Sequence, residues 1–578
     1  MSLAQAHALM TAPGKPFEVV TATVNGRPMR IWKNAQPTLR EVFQAARTNH
    51  GSKTFLVLDD ERATFEAFAR ASLHLADALA ARGVVKGDRV VVAMRNLPEW
   101  PVVVFGALLL GAIATPLNAW GTGPELAYGL ADSGAKVAVL DGERFERVAP
   151  HLADLPALQT LWVSRHDGPL NSTDARVQPL SAVLGPTNSW ASLPDRPLPD
   201  VPLLPDDPAT ILYTSGTTAS AKGVLATHRC CTSTLMASAF SPQRSFVRRG
   251  EPIPDPAARP NQRTLLQAVP LFHTTGCHVH LFGSLNNGAK LVLMHRWDPE
   301  RAMALIEAER VTQAGGVPTI AWQLIEHPSF GRYDLSSLES MAYGGAPASA
   351  GLVARLQALL PQAQPGIGWG MTETSGTFTH HGGEDYLNRP DSAGPALPVA
   401  DMRIVDDDGH DLPAGTVGEL WVRGPNVAVG YWNKPEQTEA TFGGGWLRTG
   451  DLAYLDDEGF LFVVDRKKDM LLRGGENIYC AEVEAVLYRH PAIMDAGVVG
   501  KPHPTLGEEP VAVVCFKPGH SATQDEIRDF VRQQLAAFKV PVRVCVSELP
   551  LPRNAAGKLM KPALRQLYAR LDASSTLF

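Results

Sequence analysis

The chain has 578 residues, of which 45% are hydrophobic and 19% charged, and its formal net charge is −6. This length is too great for one ordinary hydrophobic core, so we expect two or more domains. The 53 basic and 59 acidic side chains nearly balance and form no long basic run, which argues against nucleic acid as a partner.

The N-terminus and the apolar stretches predict neither secretion nor a membrane span. Residues 1–13 lack the cationic start and apolar core of a signal peptide. The most apolar run, residues 102–114, is shorter than the ~20 residues that a bilayer requires, and we interpret it as a buried helix. The six cysteines are scattered without a framework, as is typical of a reducing compartment. We therefore expect a cytoplasmic protein with no integral membrane segment.

The first two-thirds of the sequence alternates strand-like and helix-like segments. Short apolar runs at residues 88–94, 136–141 and 290–294 are typical of buried strands, and residues 65–81 have a helical pattern. This alternation predicts an α/β architecture with mainly parallel sheets.

Two segments, residues 186–208 and 240–263, are rich in proline and polar residues. We interpret both as irregular surface loops, with a lid over a site or a contact to a ligand's phosphates as the alternatives.

A loop crowded with hydroxyl groups, residues 213–224, follows a strand-like approach at Ile211 and Leu212. Its hydroxyls, backbone N–H groups and Lys222 predict a cradle for a polyphosphate. It is not a Walker A loop, because Ala221-Lys222-Gly223 stands where that motif requires Gly-Lys-Ser/Thr. The kinase and GTPase interpretations therefore fail at their own motif.

A polar segment at Lys467-Lys468 separates a strand-like run, residues 460–464, from a compact C-terminal unit. We predict that this unit contains a helix at 481–488, a strand at 511–516 and a helix at 525–538. Thr523 and Glu526 have the spacing of a capping box for the last helix.

Six segments in chain order resemble motifs of the adenylate-forming acyl-CoA synthetases, whose phosphate loop reads YTSGTTGxPKGV. The loop at 213–224 departs from that pattern at Ala219 and Ala221, which replace a glycine and a proline. Trp369 replaces the tyrosine of the YGxTE signature. The other five segments are residues 341–347, 368–373, 446–451, 465–478 and 552–558. One such match is weak, but six in the family's order across most of the chain form a specific pattern.

The resemblance implies the domain organisation and the chemistry. A large N-terminal domain with several subdomains, residues 1–466, would precede a small mobile α+β C-terminal domain, residues 467–578, with the hinge at Lys468. ATP and CoA would be co-substrates and Mg²⁺ the cofactor.

The resemblance also implies the roles of the catalytic group. Lys558 would place its ammonium between the carboxylate of the acid and the α-phosphate of ATP. Thr372 would hydrogen-bond that phosphate, and Glu373 would hold Mg²⁺, with Thr214 as a weaker ligand. Trp369 would stack on adenine, and Asp451 would accept hydrogen bonds from the ribose hydroxyls. The full expected nucleotide site is Thr214, Ser215, Gly216, Thr217, Thr218, Lys222, Gly344, Gly345, Ala346, Trp369, Gly370, Met371, Asp451 and Arg466.

His273 lies in a segment that resembles the border of the acyl pocket. Relatives that activate amino acids carry an aspartate there, so the histidine argues against an amino-acid substrate. Cys277, His278 and His280 suggest zinc, but no second ligand pair accompanies them, and we expect packing instead. The resemblance also makes His273 a candidate catalytic residue. The residues expected to line the acyl pocket are His273, Thr274, Gly344, Gly368 and Gly376.

For the thioester step, the resemblance implies that CoA's pantetheine arm passes Gly474, Gly475, Glu476 and Phe538. Val540 and Val542 are apolar where some CoA ligases carry basic residues, so contacts to CoA's nucleotide phosphates are expected elsewhere.

The resulting prediction is a carboxylic acid–CoA ligase that proceeds through an acyl-AMP. Glycines in the expected pocket favour a medium-to-long fatty acid or an aryl-substituted acid over acetate. One alternative loads the thiol of a carrier protein, a less favoured one oxidises the acyl-AMP as luciferases do, and another is a non-catalytic nucleotide-binding regulator. Assembly with a second copy of the chain into a homodimer stays open.

Overall fold

The computed structural model describes residues 1–170, 172–214, 221–255, 259, 261–344, 350–554 and 557–575. Within these residues the strands are β1 (Val19–Val24), β2 (Arg27–Trp32), β3 (Thr54–Leu58), β4 (Glu61–Thr64), β5 (Arg89–Ala93), β6 (Ile113–Pro116), β7 (Val137–Asp141), β8 (Thr160–Ser164), β9 (Val177–Pro179), β10 (Pro208–Tyr213), β11 (Gly223–Thr227), β12 (Thr264–Gln267), β13 (Lys290–Leu293), β14 (Gln313–Gly316), β15 (Ser340–Gly344), β16 (Gln364–Met371), β17 (Gly376–Gly382), β18 (Gly394–Pro395), β19 (Asp401–Val405), β20 (Gly418–Arg423), β21 (Gly430–Tyr431), β22 (Leu447–Leu455), β23 (Phe460–Arg466), β24 (Leu471–Arg473), β25 (Glu476–Ile478), β26 (Ile493–His503), β27 (Gly507–Phe516) and β28 (Arg543–Val546).

The α-helices of the described residues alternate with these strands. They are α1 (Leu3–Thr11), α2 (Leu39–His50), α3 (Phe65–Ala81), α4 (Glu99–Leu109), α5 (Gly123–Ser133), α6 (Gly142–Val148), α7 (His228–Arg249), α8 (Phe282–Asn287), α9 (Pro299–Glu309), α10 (Pro318–Ile325), α11 (Ala350–Leu359), α12 (Glu384–Asn388), α13 (Pro435–Phe442), α14 (Cys480–Leu487), α15 (Gln524–Arg532) and α16 (Lys561–Ser575). A π-helical turn, Thr275–Leu281, precedes α8. None of the helices that the structure describes has the length and apolarity to cross a bilayer.

Two eight-stranded, mainly parallel sheets form the larger part of the protein. Their strand orders are β21-β11-β10-β6-β5-β7-β8-β9 and β17-β16-β15-β14-β12-β13-β3-β4. In each sheet the inner pairs are parallel, and antiparallel pairs lie towards the ends. A five-stranded antiparallel sheet, β18-β23-β22-β20-β19, follows, and the smaller C-terminal part has its own sheet. The predicted fold class is confirmed.

Several elements form where the sequence predicts them. Helix α3 spans residues 65–81 as expected, and its N-cap Thr64 accepts a hydrogen bond from the Ala67 N–H. The predicted buried strands are β5, β7 and β13, whose apolar side chains lie in the core. The apolar run at 102–114 is only partly helical. Gly111 at φ +72° ends α4, and the chain continues as strand β6.

The prediction of an irregular surface loop at 240–263 is wrong in its first part, because α7 extends to Arg249 with Pro242 inside it. Tertiary packing explains the difference. Phe240 is fully buried against Phe17 and Trp32, and Arg244 is buried beside it. Residues 193–207, within the other predicted loop, form no regular element after a short 3-10 turn, Thr187–Ser192.

The C-terminal part begins after β23, where residues 467–469 form a turn. The predicted capping box of α15 is present, but the helix ends at Arg532 rather than at residue 538. The chain there forms a separate 3-10 turn, Ala537–Lys539. The helix–strand–helix prediction also missed β26 and α16, which pack against β27 to complete this core. The domain boundary at 466/467 stays a prediction.

Candidate active site

A cavity of about 1250 Å³ lies where the second sheet meets α7, the loop at 268–274 and the C-terminal residues Arg553, Asn554, Gly557 and Lys558. Strand ends supply much of its wall, as is usual for α/β proteins, because loops at strand ends can approach a ligand closely. The predicted site residues that line it are His273, Thr274, Gly344, Gly368, Trp369, Gly370, Met371, Thr372, Gly376 and Lys558. Segments that are far apart in the sequence therefore meet at one cavity.

Lys558 reaches the cavity on a tight C-terminal loop. Asn554 Oδ1 accepts its backbone N–H at 2.9 Å, and Arg553 and Leu559 pair in an isolated bridge. Gly557 has φ +76°, and an added Cβ there would lie 2.6 Å from Val317 of the N-terminal part. A side chain at this position would therefore hold the loop away from the cavity.

Charged groups converge on the Lys558 ammonium. Burial and the positive charge of Arg466 lower the pKa of Lys558, while the carboxylates of Asp451 and Glu373 act in the opposite direction. Lys468 adds a smaller lowering effect. The ammonium thus lies within electrostatic reach of Glu373, Asp451 and Arg466, which the resemblance assigns to metal and nucleotide binding.

Asp451 is held by two side-chain partners. Its position opposite Arg466 in the β22–β23 ladder brings the Arg466 Nε within 2.6 Å of Asp451 Oδ1. The indole N–H of Trp369 donates to Asp451 Oδ2 at 2.8 Å. The sequence did not predict this hydrogen bond. The hydrogen bond shows that Trp369 orients the Asp451 carboxylate, while stacking on adenine stays a prediction.

Tyr431, which the sequence did not predict as a site residue, connects Glu373 with Lys222, and Lys222 in turn contacts Thr214. Tyr431 donates its hydroxyl to Glu373 Oε1 at 2.8 Å, and the Lys222 ammonium lies 4.6 Å from the Tyr431 ring centroid. Thr214 accepts the Lys222 N–H through its hydroxyl at 3.3 Å. No motif marks Tyr431, whose role depends on the pairing of β21 with β11.

Burial makes His273 a neutral group. Desolvation, followed by the charge of Lys558, lowers the pKa of His273 to about 4. Its Nε2 and the Thr274 hydroxyl are buried with no hydrogen-bond partner in the described part of the chain. Both side chains line the cavity, so a substrate group can satisfy them.

Of the nearby residues, Cys277 and His278 are buried in the core, whereas His280 packs in the cavity wall. His278 Nε2 pairs with the Thr210 hydroxyl at 3.0 Å, and His280 Nδ1 pairs with Gln267 Oε1 at 3.1 Å. Among the described residues, the metal-ligand grouping that the geometry allows lies elsewhere, at Asp406, Asp408 and His410, which are mostly exposed.

Two of the predicted pocket glycines, Gly368 and Gly376, lie in tightly packed parts of the cavity wall. Gly368 is a strand residue outside the left-handed region, so its backbone conformation does not itself require a glycine. An added Cβ there would lie 2.9 Å from the Thr379 carbonyl oxygen and 3.5 Å from the His380 ring. Gly376 has φ +111°, and a Cβ would lie 2.8 Å from Val279. Both glycines line the cavity, but a side chain at either position would collide with backbone or with a neighbouring side chain.

The predicted CoA tunnel does not lie at this cavity. Gly474 and Gly475 form the turn of the β24–β25 hairpin, with Glu476 exposed, and none of them lines the cavity. Phe538 packs against the C-terminal core. Lys468 lies in the turn after β23. The predicted residues Ser215, Gly216, Thr217, Thr218, Gly345 and Ala346 lie outside the described residues.

Two protein-family models match this chain. The AMP-binding enzyme model matches residues 43–432, and the AMP-binding enzyme C-terminal domain model matches residues 482–558. The chain is 34% identical to a feruloyl-CoA synthase of Amycolatopsis, over 87% of this chain and 94% of that protein. It is 33% identical to the long-chain-fatty-acid–CoA ligase FadD13 of Mycobacterium tuberculosis, over 88% and 94%.

Solved structures agree with these sequence matches. The anthranilate CoA ligase AuaEII in complex with anthranoyl-AMP superposes with a TM-score of 0.81 at 26% identity, covering 93% of this chain and 98% of that one. The O-succinylbenzoate CoA synthetase of Bacillus subtilis, in complex with ATP and magnesium, has a TM-score of 0.74 at 30% identity, with 92% and 99% covered.

Proposed function

This chain belongs to the AMP-binding enzyme family and is an AMP-forming acid–CoA ligase, and from that premise we propose that its substrate is an elongated acid. The acid has a medium-to-long chain or an aryl group. The observation that carries this proposal is the cavity, which extends well beyond the space that a small acid would need.

The cavity runs along the strands of the second sheet. At one end it is lined by Gly344 and Thr372, and at the other by Gln313, Glu339 and Arg263, which lie at or just before the first residues of β14, β15 and β12. Five residues of strand, from position 339 to 344, span about 16 Å at ~3.3 Å per residue. Acetate would leave most of that length without contacts, whereas a long acid buries its apolar part there at roughly 0.8 kcal/mol per CH₂.

In the first half-reaction, a carboxylate oxygen of the acid attacks the α-phosphorus of ATP and pyrophosphate leaves. We assign the stabilisation of the charge on that phosphate to Lys558 and Thr372, and the binding of ribose to Asp451. In the second half-reaction, the CoA sulfur attacks the acyl carbon and AMP leaves.

Glu373 and Thr214 fit Mg²⁺, because a carboxylate and a hydroxyl are the hard oxygen ligands that this cation prefers. The Tyr431 hydrogen bond uses one oxygen of Glu373 and fixes the orientation of the other. The cation would neutralise phosphate charge. Lys222, held over the Tyr431 ring, adds a positive charge from the protein close to Glu373.

A panel of acids tests the function. AMP release is measured with and without CoA for acetate, fatty acids of increasing length, and arylpropenoic and benzoic acids. We expect CoA-dependent AMP release that rises from acetate to the longer or aryl acids. Turnover confined to acetate would contradict the proposed substrate class, and release that depends on a pantetheinylated carrier protein instead of CoA would indicate the carrier-loading alternative.

A cationic and aromatic group at the cavity rim fits the nucleotide of CoA, whose phosphate contacts the sequence left unassigned. The Arg95 guanidinium lies 5.2 Å from the Trp120 ring centroid, and Trp120 is 47% exposed. Arg95 Nε is buried and has no partner within the described residues. Arg296 is exposed close by, and its charge contributes to the lowered pKa of Arg95, after burial and Arg144. We propose that phosphates bind the two guanidinium groups while the purine stacks on the indole.

Trp120→Ala should raise the KM for CoA about tenfold, because one base–aromatic stack contributes roughly 1–3 kcal/mol. Pyrophosphate exchange, which needs no CoA, should stay unchanged. The control is Leu204→Ala, which removes an exposed apolar side chain that does not line the cavity. An unchanged KM for CoA in Trp120→Ala would remove this rim from the CoA site.

A further inference from the structure

A histidine that the predictions did not include, His380, forms part of the cavity wall. It lies on β17 directly opposite Gly368 of β16. A Cβ added at Gly366 would lie 3.6 Å from His380 Nε2, and one added at Gly368 would lie 3.5 Å from His380 Cδ2. The imidazole therefore lies over a strand surface that has no side chains of its own, and the glycines of β16 make room for the ring.

The His380 side chain has no hydrogen-bond partner in the part of the chain that the structure describes. Its Nδ1 is buried without a partner, and the bond that Arg244 Nη2 donates goes to the His380 carbonyl oxygen, not to the ring. The neighbouring cavity histidine, His280, contrasts with it, because its Nδ1 pairs with Gln267.

Burial and the positive charge of Arg244, followed by that of His381, lower the pKa of His380 to about 3. The ring is therefore neutral over the whole physiological pH range, with one nitrogen that donates and one that accepts. A neutral imidazole offers no charge to a carboxylate or an ammonium group. It is complementary to an uncharged group that can both donate and accept a hydrogen bond.

Leaving a buried polar group unpaired costs about 1–3 kcal/mol, and most such groups in proteins have a partner. Nδ1 is enclosed, so a ligand at the cavity wall reaches the ring through Nε2, and a bound acid cuts Nε2 off from water unless the acid itself supplies the partner. Along β16, Gly368 precedes Thr372 by four residues, which corresponds to about 13 Å at ~3.3 Å per residue. A partner on the substrate would thus lie near the far end of an arylpropenoic acid or midway along a fatty acid, remote from the reacting carboxylate.

We propose that His380 binds a hydroxyl substituent of the acid, so that this enzyme selects hydroxylated acids over the corresponding unsubstituted ones. The inference rests on the proposed function, since it assigns a finer substrate class to the same cavity.

The test compares matched pairs of acids that differ in one hydroxyl: para-hydroxycinnamic with cinnamic acid, and hydroxy fatty acids with the hydroxyl at carbons 8 to 12 with their parents. We expect the wild-type kcat/KM to favour the hydroxylated member of at least one pair by about 10- to 100-fold, because rejection of the parent leaves the imidazole unpaired. His380→Phe should bring that ratio close to one, mainly by lowering kcat/KM for the hydroxylated acid. His380→Gln, which keeps a donor and an acceptor, should restore part of the ratio.

His7→Phe is the matched control. His7 is another largely buried histidine, its pKa is also lowered to about 3 by burial, and it does not line the cavity. Its substitution tests the loss of a buried imidazole without the loss of a cavity group, and the thermal midpoints of all variants are measured beside the kinetics. We expect the His7→Phe ratio to equal that of the wild type.

Equal kcat/KM values for both members of every pair in the wild type would overturn the inference, as would an equal loss for both members in His380→Phe. Failure of the proposed function has a different signature, which is the absence of CoA-dependent AMP release with all acids of the panel.

Discussion

Lys558→Ala should reduce acyl-AMP formation by about 10²–10³-fold, which corresponds to a loss of roughly 3–4 kcal/mol for one preorganised donor at a developing charge. The side chain lies in the cavity wall, within electrostatic reach of Glu373, Asp451 and Arg466. Attack of one anion on another requires a cation at that point. The effect should therefore fall on the first half-reaction, because the leaving AMP of the second needs no such cation between two anions.

Pyrophosphate exchange measures the first half-reaction, and thioester formation from supplied acyl-AMP measures the second. Lys501→Ala is a suitable control, because it removes an exposed lysine of the same C-terminal part whose partner is Asp572 at 3.7 Å. Thioester formation should change less than about threefold in either variant. If Lys558→Ala damages both half-reactions equally, the assignment of the lysine to adenylation is incorrect.

The sequence predicted elements best where local signals and burial agree. Helix α3 has both a capping threonine at its start and a buried apolar face, and its bounds matched. Helix α7 was misjudged because Pro242 suggests a loop. The first residues of the predicted loop, 240–249, nevertheless continue the helix, because contacts with β17 and the N-terminal segment bury Phe240 and Arg244. Such contacts between distant segments leave no local pattern.

The same limit applies to the candidate site. The motifs led to Lys558, Thr372 and His273, which the fold brings to one cavity. They did not lead to Tyr431, because its value lies in a hydrogen bond to a residue 58 positions away. A glycine such as Gly368 marks a position without a side chain, but the sequence does not show which other residue fills the space beside it. The structure shows the His380 ring beside it.

The cavity contains Lys558 in this structure, whereas the predicted CoA tunnel at Gly474–Glu476 lies elsewhere. The two half-reactions would then need different positions of the C-terminal part, which implies a pivot. Lys467 is fixed to the N-terminal part: its N–H donates to the Gly450 carbonyl, and its ammonium pairs with Asp407 and Glu419. Lys468 is the next residue along the chain and lies in the turn that follows.

Lys468→Pro should therefore slow thioester formation by about 100-fold while changing adenylation less than about threefold. Proline fixes φ near roughly −65° and also restricts the residue before it, so the turn loses the rotation that a second arrangement requires. The adenylating arrangement already has Lys558 in place, and it needs no rotation. Lys468→Ala is the matched control, because it removes the same charge but keeps the backbone rotation. It should retain the thioester step. The two half-reaction rates, measured separately, give the result as a ratio; if Lys468→Pro leaves that ratio unchanged, the pivot lies at another residue, with Lys467 the next to test.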